Sequence, residues 1–350
     1  MKIKIFLILF LSTNAFANIY KNIDGNRRYN EVVWLTAHNA FANYRAGWSI
    51  VNQTRSIKDL MENFNVRGLM LDIYRSDQGS ALGLKRDKPE IVSCHGECDI
   101  SVGVLRVLRA PRLLSEILKI IKTFLDNNPK EIITIIFEDY VDGKYRGELT
   151  TIFEEVGLTK YWLKPEDSNL FDKVPVLKWP TINKLRSTNK RLIVFSPRGG
   201  PFIGQWAWMV ENHYNYAEDK GANCEKRGES REHLNMQPHI PLNINLFYNF
   251  AFDTHAAHVP EIRMINHGLL NGPMLKKYIE EKCLKYWKRL PTFISLDHAH
   301  RYTGIYGGTD LRDYIKELNK KPVEDFYADK GQVEKYQLGT PEGATKGKSL

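Results

Sequence analysis

The sequence predicts an α/β protein built as a single barrel of alternating strands and helices, of the TIM type. Short apolar, β-branched runs recur along the chain, and near-continuous apolar runs of this kind are typical of parallel strands buried on both faces. Amphipathic helical stretches lie between them, which favours a β/α architecture. The alternative is an open doubly wound sheet, but no glycine-rich dinucleotide turn follows the first strand.

Each predicted element rests on its own local pattern. The strand candidates are 31–37, 66–74, 90–94, 131–137, 191–196, 242–250 and 291–297. The helix candidates, in which apolar residues recur at helical spacing, are 56–64, 113–128, 147–157, 274–287 and 310–321. The second helix should end before Pro129, and the third at a C-capping Gly157. The irregular segment 198–240 is expected to be a long loop over one barrel end.

The ends of the chain predict export and a flexible tail. Basic MKIK, apolar IFLILFL and the small-residue pattern AFA are typical of a secretory signal peptide over 1–17, cleaved near Ala17. The barrel should then occupy 18–325, and the polar 326–350 should be a flexible tail. We therefore expect an exported protein, periplasmic or secreted.

The net charge indicates which kinds of molecule the protein could bind. Loss of Lys2 and Lys4 with the signal peptide reduces the formal net charge from +9 to +7. This mild excess suits an anionic substrate or a membrane surface, whereas the scattered Lys and Arg argue against nucleic-acid binding. Nothing in the sequence implies a protein partner or an organic cofactor, and a monomer is expected.

The four cysteines indicate staples rather than chemistry. Cys94 and Cys98 flank His95 in VSCHGEC, but a cysteine zinc site usually needs four well-spaced ligands. A structural pair, or two buried thiols, is favoured over a metal or redox site. Cys224 and Cys283 could form a second bridge, and the sequence leaves the pairing open.

Polar residues cluster at the predicted strand ends, where barrel active sites lie. They are His38 and Asn39, Asp72 and Arg75, His95, Glu138 and Asp139, Arg198, and Asp297 and His298. Two histidines facing each other suit cleavage of a phosphodiester, since one imidazole can accept a proton from the attacking hydroxyl while the other protonates the leaving oxygen. A carboxylate can fix the tautomer of the base, and a cation must offset charge on the phosphoryl oxygens.

Five segments in order carry a family resemblance: WLTAHNAF, VRGLMLDIY, IVSCHG, EIITIIFEDY and PTFISLD. With these the chain resembles the X domain of phosphatidylinositol-specific phospholipase C, especially its small bacterial members. The resemblance implies a distorted TIM barrel that cleaves an inositol phospholipid at a membrane surface, giving diacylglycerol and a cyclic inositol phosphate. It implies His38 as general base, His95 as general acid, and Asp297 as the carboxylate that holds His38.

The resemblance leaves the charge-stabilising group open. Asn39, Asp72 and Glu138 match three metal-ligand positions of metal-dependent members, but Met70 and Tyr74 stand beside Asp72 on its face of the strand, so one carboxylate is missing. Oxygen ligands of this kind suit Ca²⁺, and Mg²⁺ less well. Metal-independent members use an arginine at the position of Tyr74.

Two arginines are candidate substrate-binding residues. Arg75 is one step out of phase with the family's arginine and would need a bulge to point inward. Arg198 could contact phosphate or sugar.

Two other functions fit the same barrel. A glycerophosphodiester phosphodiesterase is one, although its usual HRG after the first strand is replaced here by AHNAF. A non-catalytic headgroup-binding protein is the other, favoured by the missing carboxylate.

Overall fold

A computed structural model describes most of the barrel. The described residues are 18–46, 48, 51–79, 85–94, 98, 111–170, 179–196, 211–216, 242–247, 275–281, 284, 290–300 and 311–322. Their strands are β1 Trp34–Ala37, β2 Gly68–Gln78, β3 Lys85–Ser93, β4 Arg112–Leu113, β5 Ile133–Asp139, β6 Trp162–Leu163, β7 Leu192–Phe195, β8 Glu211–Tyr216, β9 Leu242–Phe247 and β10 Phe293–Leu296. Their helices are α1 Ile57–Asn63, α2 Leu114–Asn127, α3 Arg146–Val156, α4 Ile182–Ser187, α5 Leu275–Tyr278 and α6 Leu311–Leu318.

Eight of these strands pair in parallel, in the order β6-β7-β5-β2-β1-β10-β9-β8. The last parallel strand of the chain therefore pairs directly with the first. β3 returns antiparallel along β2, and β4 pairs antiparallel with β3. All carboxyl ends of the parallel strands consequently face one rim, which we call the C-terminal rim.

Aromatic packing shows that this sheet curls. Phe195 on β7 and Phe293 on β10 are four strand positions apart in the sheet order. Neighbouring strands are about 4.8 Å apart, so a flat sheet would separate these residues by roughly 19 Å. Their ring centroids are nevertheless 5.6 Å apart, and the ring of Tyr29 stacks between them at 6.4 and 6.1 Å. The barrel predicted from the sequence is confirmed.

The interior below the C-terminal rim is closed by buried aromatic and hydroxyl groups. Tyr29 is fully buried, and its hydroxyl shares a 2.6 Å hydrogen bond with Thr134 on β5. Burial raises the pKa of Tyr29 well above its ordinary value, so this hydroxyl stays neutral at physiological pH. This part of the interior is therefore a packed core.

Helix boundaries follow local signals. Ser56 caps α1 by accepting from the backbone N–H of Asp59, and Thr181 caps α4 in the same way through Lys184. α3 ends at Gly157, whose φ of 79° is the left-handed C-cap expected from the sequence. Within the described residues, no helix is long and apolar enough to cross a bilayer.

Three sequence-based expectations need correction. The run 90–94 is the return arm of an antiparallel hairpin on β2, so it is not a barrel strand. Residues 211–216 form a strand inside the segment expected to be a long loop, because they pair with β9. The short β6 and α4 were missed, since two and six residues are too few to show a period. The tail 326–350 lies outside the described residues.

Gly68 is required where β1 and β2 meet. A Cβ atom at this position would lie 2.1 Å from Oγ1 and 2.8 Å from Cβ of Thr36, its register partner on β1. No rotamer of Thr36 can move its own Cβ away. The close approach of these two strands therefore depends on the missing side chain.

We expect Gly68→Ala to lower the free energy of unfolding by about 1–3 kcal/mol, the usual cost of overpacking. Urea denaturation measures the change. Gly143→Ala is the matched control, since a Cβ there meets nothing within 4 Å. The double variant Gly68→Ala/Thr36→Gly should recover part of the stability that Gly68→Ala loses. Equal stability of Gly68→Ala and Gly143→Ala would contradict the close approach of the two strands.

Candidate active site

A histidine–carboxylate pair lies where β1 and β10 end. The register Ala37↔Leu296 continues for one more step, because the backbone N–H of His38 donates to the carbonyl of Leu296 at 3.1 Å. This places His38 opposite Asp297, and Nδ1 of the ring is 2.9 Å from Oδ1 of the carboxylate. The two residues are 8% and 5% exposed, so the pair is largely shielded from solvent. A hydrogen bond of this geometry orients the imidazole and selects its tautomer.

The loop after β1 supplies partners that the sequence did not reveal. Asn52 donates from Nδ2 to Oδ1 of Asp297 at 2.9 Å. Gln53 is fully buried and donates from Nε2 to the carbonyls of His38 and Leu296 at 2.8 and 2.9 Å. Neither residue belongs to a periodic element or to a motif with a known spacing, so no sequence signal marks them.

A second group of polar side chains lies on β2 and β5. Along β2, it begins two residues beyond Met70, which is level with His38 at the end of β1. Asp72 on β2 and Glu138 on β5 are register partners on parallel strands, so their side chains leave the same face of the sheet. Asp72 is 2% exposed, whereas Glu138 is half-buried and accepts a 3.1 Å hydrogen bond from the hydroxyl of Tyr140. Tyr140 stacks on Tyr74 with a 4.6 Å centroid separation.

Burial and two neighbouring carboxylates act on the hydroxyl of Tyr140. Burial raises its pKa above the usual value, and the charges of Glu138 and Asp72 raise it further. The tyrosine therefore remains a neutral hydrogen-bond donor to Glu138. A cation would be favoured beside these two carboxylates on electrostatic grounds.

Asn39, Asp72 and Glu138 offer only oxygen donors, so a metal ion held by them would keep bound water. Asn39 directly follows His38 with a left-handed φ of 43°, and the next residue, Ala40, donates to the carbonyl of Met70 on β2 at 2.9 Å. The backbone of Asn39 therefore lies at the rim beside the strand that carries Asp72. Among the described residues, no group of three or more His, Cys, Asp or Glu is placed to hold a metal ion. Ca²⁺ accepts such a donor set when water completes its shell.

Arg75 on β2 contacts α3 and the residue that precedes it. Its Nε lies 3.1 Å from both carboxylate oxygens of Glu148 on α3, and its guanidinium stacks over Tyr145 at 4.0 Å. The register shift on β2 falls between Ser76 and Gln78, beyond Arg75. It therefore does not supply the bulge that the substrate-binding role requires, and the structure does not bring Arg75 together with the pair.

His95 and Arg198 lie outside the described residues. The chain that leads to His95 does reach the C-terminal rim, since Ser93 at the end of β3 is the register partner of Ile73. Cys94 and Cys98 form a disulfide, so they are the structural pair favoured from the sequence. Cys224 and Cys283 also lie outside the described residues.

Comparison with known proteins agrees with this fold. The chain is 29% identical over 296 residues to a PI-PLC X domain-containing protein of Arabidopsis thaliana. It is 25% identical over 239 residues to PI-PLC X domain-containing protein 1 of Arthroderma benhamiae. The alignments cover 79% and 65% of this chain, but only 60% and 69% of the relatives.

A solved structure shows a similar barrel at low sequence identity. It is a variant of phosphatidylinositol-specific phospholipase C from Staphylococcus aureus, with a TM-score of 0.50 and 16% identity. The match covers 86% of this chain and 97% of that one. The model of the family described as PI-PLC X 1 matches residues 25–304, which is most of the chain. This chain therefore belongs to the PI-PLC X domain family.

Proposed function

We propose that this protein is a phosphodiesterase that cleaves the glycerol-side P–O bond of an inositol phospholipid. The observation that carries the proposal is the buried His38–Asp297 hydrogen bond of 2.9 Å at the rim of the barrel. A rim histidine held by a carboxylate is the arrangement that general-base catalysis needs. Membership of the PI-PLC X domain family supports the choice of a phosphoinositide substrate.

His38 acts first in the proposed reaction. Its Nδ1–H donates to Asp297, so the lone pair of the neutral ring is on Nε2. Nε2 accepts the proton of the inositol 2-hydroxyl as that oxygen attacks phosphorus. The Asp297 carboxylate, 2.9 Å from the ring, stabilises the imidazolium that forms.

The second proton transfer is assigned to His95. As an imidazolium it protonates the glycerol oxygen while the bond from that oxygen to phosphorus breaks. The products are diacylglycerol and a cyclic inositol phosphate. The position of Ser93 and Cys94 at the rim supports this role, since His95 follows them directly in the chain.

Asn39, Asp72 and Glu138 are the residues that would hold the cation, and their oxygen donors would suit Ca²⁺. When bound, Ca²⁺ would offset the negative charge that builds on the phosphoryl oxygens. Asp72 and Glu138 support this because they are register partners on one face of the sheet, and their charges already raise the pKa of Tyr140.

We place the substrate at a membrane surface and the protein outside the cytoplasm, as the signal peptide over 1–17 predicts. The protein is proposed to act as a monomer.

Arg198 remains a candidate contact for the phosphate or the sugar. Arg75 could contact the phosphate or the sugar only after its ion pair with Glu148 breaks. Because this ion pair is partly exposed, breaking it costs little free energy.

Removal of the base should abolish turnover without unfolding the barrel. We expect His38→Ala to release diacylglycerol from phosphatidylinositol vesicles roughly 10²- to 10⁴-fold more slowly, the usual contribution of a general base. Asp297→Asn should lose at least about tenfold because an amide neither selects the Nδ1–H tautomer nor stabilises the imidazolium as a carboxylate does. The matched control is Asp126→Asn on α2, a carboxylate hydrogen-bonded to Lys122, Lys160 and Tyr161.

Normal turnover by His38→Ala, in protein with an unchanged circular dichroism spectrum, would refute the assigned role. Glycerophosphocholine serves as the second substrate in the same assay. Preference for it over phosphatidylinositol would indicate a glycerophosphodiesterase. Vesicle binding without any turnover would indicate a headgroup-binding protein.

Metal removal tests the Ca²⁺ assignment. We expect EDTA to reduce wild-type turnover, and Ca²⁺ to restore it better than Mg²⁺, because the donors are hard oxygens around a hydrated site. Glu138→Gln should require more Ca²⁺ for half-maximal turnover, whereas Glu148→Gln, which alters only the Arg75 ion pair, should not. Full activity in EDTA would exclude the metal while leaving the two-histidine reaction in place.

A further inference from the structure

Three consecutive polar residues join the ends of the strands that carry His38 and Asp297. The carbonyl of Asn52 accepts from the backbone N–H of His298 at 2.7 Å. Gln53 is hydrogen-bonded to both strand ends, and Thr54 Oγ1 lies 2.9 Å from Nε2 of His300. We call residues 52–54 the rim strap.

The rim strap is fixed on both sides of the histidine–carboxylate pair. Besides its two bonds from Nε2, Gln53 accepts the backbone N–H of Ala299 through Oε1 at 3.0 Å. The backbone N–H groups of Asn52 and Gln53 are both 3.1 Å from the carbonyl of Ala42, in the segment that follows His38. The backbone of Asn52 is therefore held by the segments that follow β1 and β10. This fixes the Cα position from which its side chain extends.

The side chain of Asn52 completes the environment of the carboxylate. Its Nδ2 is 2.9 Å from Oδ1 of Asp297 and 3.5 Å from Nδ1 of His38. The amide nitrogen of Asn52 can only donate, and Oδ1 of Asp297 is the nearer acceptor. The hydrogen bond of Asn52 is therefore to Asp297. Oδ1 of Asp297 thus accepts from two donors, the amide of Asn52 and the ring of His38.

This geometry has a consequence for the tautomer. If Nδ1 of His38 carried the lone pair, those electrons would face the carboxylate oxygen at 2.9 Å without a proton between them. Asn52 keeps that oxygen in place, so the carboxylate cannot turn away to relieve the repulsion. The proton is therefore held on Nδ1 and the lone pair on Nε2, which is the state that a general base requires.

We propose that Asn52 is a positioning residue for His38: it fixes Oδ1 of Asp297 and thereby holds the Nδ1–H tautomer of the ring. The effect on turnover rests on the proposed function, whereas the effect on the tautomer does not. Asn52 acts through Asp297 and needs no contact with substrate.

The test compares full-length wild-type protein with Asn52→Leu, which has nearly the same size but no donor. Two-bond ¹H–¹⁵N spectra of ¹⁵N-histidine-labelled protein, recorded with neutral imidazoles, identify the protonated nitrogen of His38. We expect only Nδ1–H in the wild type and a mixture of tautomers in Asn52→Leu. With phosphatidylinositol, kcat should fall roughly 10- to 100-fold, with KM within about threefold.

The matched control is Asn63→Leu. Asn63 also donates to an aspartate, Asp59 at 2.6 Å, but on the exposed surface of α1. This variant should leave both the His38 spectrum and kcat unchanged. The control shows whether loss of any amide–carboxylate hydrogen bond changes the spectrum and kcat, or only loss of the one between Asn52 and Asp297.

An Nε2–H tautomer in the wild type, or an unchanged spectrum in Asn52→Leu, would overturn the proposal. If Asn52→Leu fails to fold, Asn52→Ala replaces it, and the wild-type spectrum by itself can still contradict the assignment. If the wild type turns over no phosphodiester, the proposed function fails, and the tautomer spectra alone decide the role of Asn52.

Discussion

The hydrogen bond between His38 and Asp297 depends on one feature of the topology, the parallel pairing of β1 with β10. The two residues are 259 positions apart in the sequence, and a barrel is the arrangement that places the last parallel strand beside the first. The order in which the strands pair therefore brings His38 and Asp297 together. Everything proposed for the chemistry depends on this pairing of β1 with β10.

Burial makes the surrounding hydrogen bonds important. An ionised carboxylate that is 5% exposed loses most of its hydration, and this cost must be offset by donors inside the protein. Asn52 and His38 supply two such donors to Oδ1 of Asp297. Gln53 hydrogen-bonds three backbone groups at the strand ends, which are the carbonyls of His38 and Leu296 and the N–H of Ala299. A hydrogen-bond network of this kind holds its members in one geometry, which is what proton transfer needs.

The sequence predicted those parts of the molecule that depend on local patterns. The barrel strands showed as apolar runs, and His38 and Asp297 could be assigned to the same rim because each follows such a run. The antiparallel return of β3 could not be predicted, since an apolar run does not specify the direction of its partner. β8 was hidden because its polar residues, ENHYNY, show no buried-strand pattern.

The rim residues that were missed are those whose role is created only by tertiary contact. Asn52 and Gln53 lie in a loop, and their partners come from both ends of the chain. Arg75 illustrates the opposite case. Its place near the end of β2 suggested substrate contact, whereas its side chain forms an ion pair with Glu148, and only the packing of α3 could reveal this.

The proposed reaction is cleavage of a phosphodiester by two histidines through attack of a neighbouring hydroxyl. ³¹P NMR of the wild-type protein acting on phosphatidylinositol follows the order in which the products of this reaction form. We expect the five-membered cyclic inositol phosphate as the first phosphorus-containing product of the reaction. Phosphatidic acid, or an acyclic inositol phosphate without a cyclic precursor, would contradict the proposed reaction.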